Sequence, residues 1–240
     1  MIPIGDDNTE RTRTPFMNYI FLAINILVFI YYQNWGTDIS VILSYATVPM
    51  EIISGTDIQT EGGLGITPIP VHLTLFSAMF MHGSIAHIFG NMMYLLVFGD
   101  NLENRMGHAR YAFFYILCGL LASITHVTLA NYTGKDLLIP SLGASGAISG
   151  VLGGYLMLFP KNSVSLLVFI TVIRVPAFIS LGLWIVLQLF SGYGSLSDPA
   201  GGGGVAYAAH IGGFFAGLIL VHFFVKKKTL TDSRRTFPEL

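Results

Sequence analysis

The chain has 240 residues, 53% of them apolar and only 10% charged, and charges that sparse cannot cover a water-soluble globule of this length. A formal net charge of -1, with the basic residues gathered at turns and chain ends, speaks against a nucleic-acid partner. The composition predicts an all-α polytopic membrane protein whose first partner is the lipid bilayer, and the lone Cys118 excludes an internal disulfide.

Residues 1–15 are polar, with Arg11 and Arg13 ahead of an apolar run from Phe16 to about Tyr32, and read as a cytoplasmic tail followed by span one. The opening Met-Ile-Pro-Ile-Gly-Asp-Asp has no basic segment, short apolar run or small-residue cleavage site, so span one is expected to be retained. Residues 33–70 carry Asp38, Glu51, Asp57 and Glu61, no Lys or Arg, and several glycines and prolines, the composition of a long extramembrane loop. Val71 to Met81 is apolar but short and is interrupted by His82-Gly83-Ser84, so residues 33–83 are taken together as outer loop plus interfacial segment. Span two is expected from about Ser84 to Gly99, ending in a polar turn from Asp100 to Gly107. Span three covers about Tyr111 to Ala130, and a turn holding Lys135 and Asp136 leads to span four, the stretch from Ser141 to Pro160.

Arg174 and Pro176 divide the next apolar run, Val164 to Phe190. An arginine at mid-bilayer costs about 2.5 to 3.5 kcal/mol, so span five is placed from about Pro176 and the preceding piece along the surface. Residues 191–204 include the consecutive glycines Gly201 to Gly204 and read as a flexible cap, with Gly192, Asp198, Gly201 and Gly204 as its gate positions. Span six runs from Val205 to Val225, and a basic tail, 226–240, begins at Lys226. Six spans put both termini on one side. With that side cytoplasmic, eleven of the twelve Lys and Arg residues lie inside and only Lys135 outside, which sets an N-in, C-in orientation for a membrane domain of residues 16–225.

Span four places Ser145 and Ser149 one turn apart on a helix whose Gly146, Gly150 and Gly154 leave one face bare for a close neighbour. A hydroxyl alone in such a helix bonds back to its own carbonyls. Ser145 has company: span six enters from the same side, with His210 about 7 Å deep at 1.5 Å per residue and a second bare stripe at Gly213 and Gly217. Packing the stripes together brings an imidazole to the Ser145 hydroxyl, a nucleophile and its base. At the same depth span two presents His87 and Asn91 at i, i+4, two donors that with the Ser145 N–H could hold an oxyanion. His72, His108, His126 and His222 are given no role, and His82 is assigned at most to the mouth of the site. Other intramembrane hydrolase chemistries lack their residues: no His-Glu dipeptide for zinc and no Asp inside a span for an aspartyl dyad.

These motifs resemble the rhomboid intramembrane serine proteases. Gly143-Ala144-Ser145-Gly146 is similar to the family's Gly-x-Ser-Gly, Ala209-His210-Ile211-Gly212-Gly213 with Gly217 to its last-helix motif, and His87 to Asn91 to its His-x-x-x-Asn, over about residues 70 to 225. The resemblance implies a six-helix rhomboid-like bundle with a water-filled cavity open outward. It also implies a Ser145–His210 dyad without Asp, an oxyanion site of His87, Asn91 and the Ser145 amide, and neither metal nor cofactor. Substrates would be transmembrane segments of other proteins, admitted laterally past span five under the cap and cut near the outer face. A non-catalytic relative that binds and escorts membrane helices is the competing reading, and a prokaryotic plasma membrane is the expected location. Val71-His72 stands where many members carry Trp-Arg. Ser149 stands where some carry an aromatic that stacks on the histidine, which leaves Tyr207 or Tyr155 to orient His210.

Overall fold

A computed structural model describes residues 2–60, 64–197 and 206–225. Strand β1 (Ile2–Asp6) precedes α1 (Phe16–Leu27), which a π-helical turn extends over Val28–Tyr32. Short helices α2 (Ile39–Ser44) and α3 (Pro49–Ser54) give the expected loop local order, and α4 (Thr74–Ser77) lies between 3-10 turns within residues 71–80. The main helices are α5 (Ile85–Met106), α6 (His108–Thr133), α7 (Ser145–Leu158), α8 (Ala177–Ser197) and α9 (Tyr207–Phe224), with a hairpin of β2 (Ser163–Val168) and β3 (Thr171–Pro176) before α8. Among the described residues α6, α8 and α9 are each long and apolar enough to cross a membrane. Val71–Phe80 and α5 meet that standard together, bent by 77° at the His82-Gly83-Ser84 break, while Phe16–Tyr32 and α7 are apolar but shorter. The chain is a polytopic helical integral membrane protein.

Helix α7 is the centre of the fold, packed against α9, α6, α5 and α8, with every residue from Gly146 to Tyr155 buried. The bare stripes do meet other helices, though not as simple partners of one another. Gly146, Gly150 and Gly154 face α6, where an added Cβ would press on Ala122, Cys118 and Phe114. Toward α9 the contact is backbone on backbone: a Cβ on Gly213 would overlap the carbonyl oxygen of Gly146, one on Gly217 that of Gly150, and one on Gly153 that of Phe214. Counting every fourth residue finds one face of α7. The second needs Gly153, one residue out of step.

Three expectations are corrected. The fold is not purely α-helical: β1, β2 and β3 form an antiparallel sheet in that order, so the segment before span five is a hairpin and part of the supposed polar tail is a strand. The polar turn after Gly99 is two further turns of α5, because its side chains tie down the N-terminal segment. Glu103 accepts the N–H groups of Met17 and Asn18 at the start of α1, Arg11 pairs with Asp100 at 2.7 Å, and Asn104 accepts from Thr12 and Arg13. A carboxylate at the free N–H groups of a helix start satisfies donors and the helix dipole together. Finally, α8 runs on to Ser197, its end held by Lys135 Nζ donating to the Leu196 carbonyl and by Ser197 Oγ donating to that of Tyr193. Gly192 is therefore a helix-packing position facing Tyr207 and Ile211, not part of a loop. Asp198, Gly201, Gly204 and the tail 226–240 lie outside the described residues.

Candidate active site

Ser145 begins α7, and the approach to it is fixed backbone by backbone. An antiparallel bridge joins Ser141 to Thr47, and Gly143 N–H donates to the Ala78 carbonyl at 2.8 Å. Gly143 has φ +119°, which L side chains rarely adopt, and a Cβ there would stand 2.8 Å from His87 Nε2 and 3.6 Å from Ser145 Oγ. The glycine thus makes the turn into α7 and leaves room for the His87 ring close to the Ser145 hydroxyl. At the head of the helix the N–H groups of the first turn have no carbonyl within it, and they point toward the space before Ser145.

His210 lies in the first turn of α9, and its Nε2 is 2.8 Å from Ser145 Oγ across 65 residues of sequence. The backbone contacts of Gly213 and Gly217 hold the two helices close enough for that distance. Its other nitrogen, Nδ1, is 2.8 Å from Oε1 of Gln188 on α8, a residue the sequence reading passed over. Its one signal was an amide alone in the apolar run from Ala177 to Phe190, where a polar group needs a partner. Neither tyrosine expected to orient His210 hydrogen-bonds to it. Tyr207 meets the imidazole edge-on at 6.5 Å between ring centroids, while Tyr155 OH donates to Asp6 at the sheet end of α7. The Trp184 ring lies 6.1 Å from that of His210. Ser149 shows the bland behaviour of a membrane hydroxyl, its Oγ donating to the Ser145 carbonyl at 2.6 Å, one turn back.

Helix α5 brings the remaining donors. Ser84 caps it by accepting the His87 N–H, so His87 and Asn91 project from its first two turns. Asn91 is 8% exposed, yet its Nδ2 has no protein partner, a costly state for a buried donor unless something in the cavity accepts from it. His87, Asn91, Ser145 and His210 all line one cavity of about 560 Å³, together with Gly143 and Gln188. His82, expected at the mouth, is fully buried behind His87, and its backbone is clasped on both sides by the Gln33 amide. His126, given no role, lines the same cavity. His108 pairs with Glu103 far from it. Among the described residues there is no cluster of three or more His, Cys, Asp or Glu fit to hold a metal ion. The chemistry available is a hydroxyl beside an imidazole, with N–H donors across a gap.

Residues 71–227 match the family model of the Rhomboid domain. The chain is 30% identical over 163 residues to Rhomboid protein 1, mitochondrial, of Saccharomyces cerevisiae, covering 68% of this chain and 44% of that protein. It is 30% identical over 209 residues to Rhomboid protease GluP of Bacillus subtilis, covering 86% of this chain and 35% of that one. It is 32% identical over 148 residues to Rhomboid-related protein 2 of Mus musculus, 59% of this chain and 44% of that protein. The chain thus spans less than half the length of each of these three. They come from a bacterium, a yeast and a mouse, so the expected prokaryotic plasma membrane does not follow from them.

Proposed function

Because the chain belongs to the rhomboid family, we propose that it is an intramembrane serine endopeptidase that cuts transmembrane segments of other proteins. The observation that carries the reading is the 2.8 Å contact between Ser145 Oγ and His210 Nε2 at the wall of a cavity that the unpartnered donor of Asn91 also lines. Residues 16–225 form the membrane domain in this reading, crossing six times with both termini in the cytoplasm. The Ser145 end then faces outward and the three-stranded sheet inward, which puts Arg174 of β3 on the cytoplasmic side. No metal or other cofactor takes part.

As the hydroxyl oxygen attacks the scissile carbonyl carbon, its proton passes to His210 Nε2 and the carbonyl π electrons move onto oxygen. Asn91 Nδ2, His87 and the Ser145 N–H donate to that oxyanion. Placing donors where charge develops is worth about 2.7 to 4 kcal/mol for each one. Collapse expels the amine, which takes the proton from Nε2 and leaves an acyl-enzyme on Ser145. Water from the cavity then repeats the sequence, giving its proton to Nε2 and releasing the acid and the free hydroxyl. Among the described residues the imidazole hydrogen-bonds to no acidic side chain, so the dyad relies on placement more than on charge.

The test is cleavage of a transmembrane substrate by purified protein in liposomes, with Ser145→Ala and His210→Ala alongside. Both variants should lose cleavage, and a fluorophosphonate probe should label wild type at Ser145 and neither variant. A helix-escort protein has no reason to react with the probe. Cleavage that survives Ser145→Ala ends the proposal.

A further inference from the structure

The imidazole of His210 has two ring nitrogens and, when neutral, one proton. Which nitrogen carries it decides whether the ring can act on Ser145. Nε2 and Nδ1 each lie 2.8 Å from an oxygen, Ser145 Oγ on one side and Gln188 Oε1 on the other. A hydroxyl can donate to a bare Nε2, whereas an amide carbonyl oxygen can only accept. The arrangement that satisfies both contacts has the proton on Nδ1, donated to Gln188, and the Nε2 lone pair toward Ser145.

We propose that Gln188 is a positioning residue of the peptidase: it holds His210 in the tautomer and rotamer that can take the Ser145 proton, so that the base is assembled only while α8 is packed against α9. The inference rests on the peptidase reading above and deepens it. The other titratable side chains lining the cavity are His87, Tyr94, His126 and Asp136, and none hydrogen-bonds to Nδ1. Trp184, one turn earlier on α8, leans on the same ring and on Phe214, so one face of α8 both walls and orients the imidazole. A neutral amide does this without burying a second charge in an apolar span.

The position of Gln188 along α8 gives the arrangement its consequence. Ala177, Leu181 and Ile185 are buried in succession on the face that meets the bundle, and from Gln188 through Gly192 to Ser195 that face is only half-buried. The helix is packed tightly at its sheet end and loosely at its Ser145 end. Gln188 is the first residue past the tight part, so displacing the loose end of α8 removes the acceptor from Nδ1 before it disturbs the core.

The experiment uses the full chain in liposomes with Gln188→Leu and Gln188→Glu, followed across pH, and ring ¹⁵N spectra of His210 in a Ser145→Ala background. Gln188→Leu should lower kcat about 10- to 100-fold with KM within about twofold, the size expected for a misplaced base. Gln188→Glu restores an acceptor of opposite charge to imidazolium, and should recover activity while moving the acidic limb of the kcat/KM profile up by about one pH unit. The spectra should show the proton on Nδ1 with Gln188 and lose that preference with Leu. A Leu variant with wild-type kcat, a Glu variant with an unmoved acidic limb, or a proton on Nε2 beside Gln188 would each overturn the inference. The spectra need no turnover, so they separate its failure from that of the peptidase reading, which falls if Ser145→Ala still cleaves or if wild type neither cleaves nor labels at Ser145.

Discussion

Substituting Gly217 by Ala tests whether backbone contact between α7 and α9 sets the distance at the site. An ideal Cβ on Gly217 would stand 2.6 Å from the Gly150 Cα and overlap its carbonyl, whereas ordinary contact begins near 3.4 Å. No flexible side chain is there to yield, so α9 has to retreat by about 1 Å at that level. His210 is seven residues away on the same helix, about 10 Å along a nearly rigid rod, and a retreat of that size carries it along. The Ser145–His210 distance of 2.8 Å would then approach 4 Å, outside hydrogen-bond range. A displacement of 1 Å at reacting groups costs about 100-fold in rate, and overpacking of this kind costs about 1 to 3 kcal/mol of stability. Substrate cleavage, fluorophosphonate labelling and thermal unfolding in the same liposomes read all three, with Gly182→Ala on α8 as the control because nothing lies within 4 Å of its Cβ. Gly217→Ala retaining cleavage within threefold of wild type would refute the argument, since the glycine would then not be what lets the helices meet.

Asn91→Ala removes the unpartnered donor in the cavity and should lower kcat about 100- to 1,000-fold while changing KM little, measured by steady-state cleavage. Gly143→Ala should also lower activity, because the new methyl meets both His87 and a backbone angle of +119°; labelling at Ser145 reports it directly. Glu103→Gln weakens the bonds that hold the start of α1 and should cost about 1.5 to 3 kcal/mol, seen as a lower unfolding temperature. The fourth concerns pH. Burial pushes the Asp6 carboxyl up to about 6 from an ordinary 3.8, although hydrogen bonds from Tyr155 and Asn101 oppose it. Between those values the folded state binds more protons than the unfolded one, so docking of β1 is firmest near pH 4 and weakens as pH rises to 6. Hydrogen exchange of residues 2–6, corrected for intrinsic rates, should show that slope, and Asp6→Asn should flatten it.

The pair at 145 and 210 was legible because helical spacing and depth are local properties: each motif carries its own face and its own distance from a chain turn. His87 and Asn91 were readable for the same reason, whereas Gly143 entered only through the motif around Ser145. Gln188 was not, since an amide has no charge to betray it and its partner lies 22 residues away on another helix. Asp100, Asn101 and Glu103 misled for a related reason. Charges at the end of an apolar run look like an exit to water, but these are buried against residues 6 to 18, at the far end of the sequence. The β2–β3 hairpin left a local trace in the β-branched run Val172, Ile173 and Val175, which weighed less than the argument about where Arg174 could sit. The missed sheet adds a strand partner for the N-terminus and does not alter the cavity.

The shortness of α7 carries a consequence for the whole molecule. Its 14 residues reach only about 21 Å, against about 30 Å of hydrocarbon in a typical bilayer. Near its foot, Tyr155 is bolted to Asp6 of the sheet, so the helix stands on that platform like a post too low for the room. The platform then sets how far the Ser145 hydroxyl stands from the sheet, and in the proposed reaction a target peptide would have to sink to meet it.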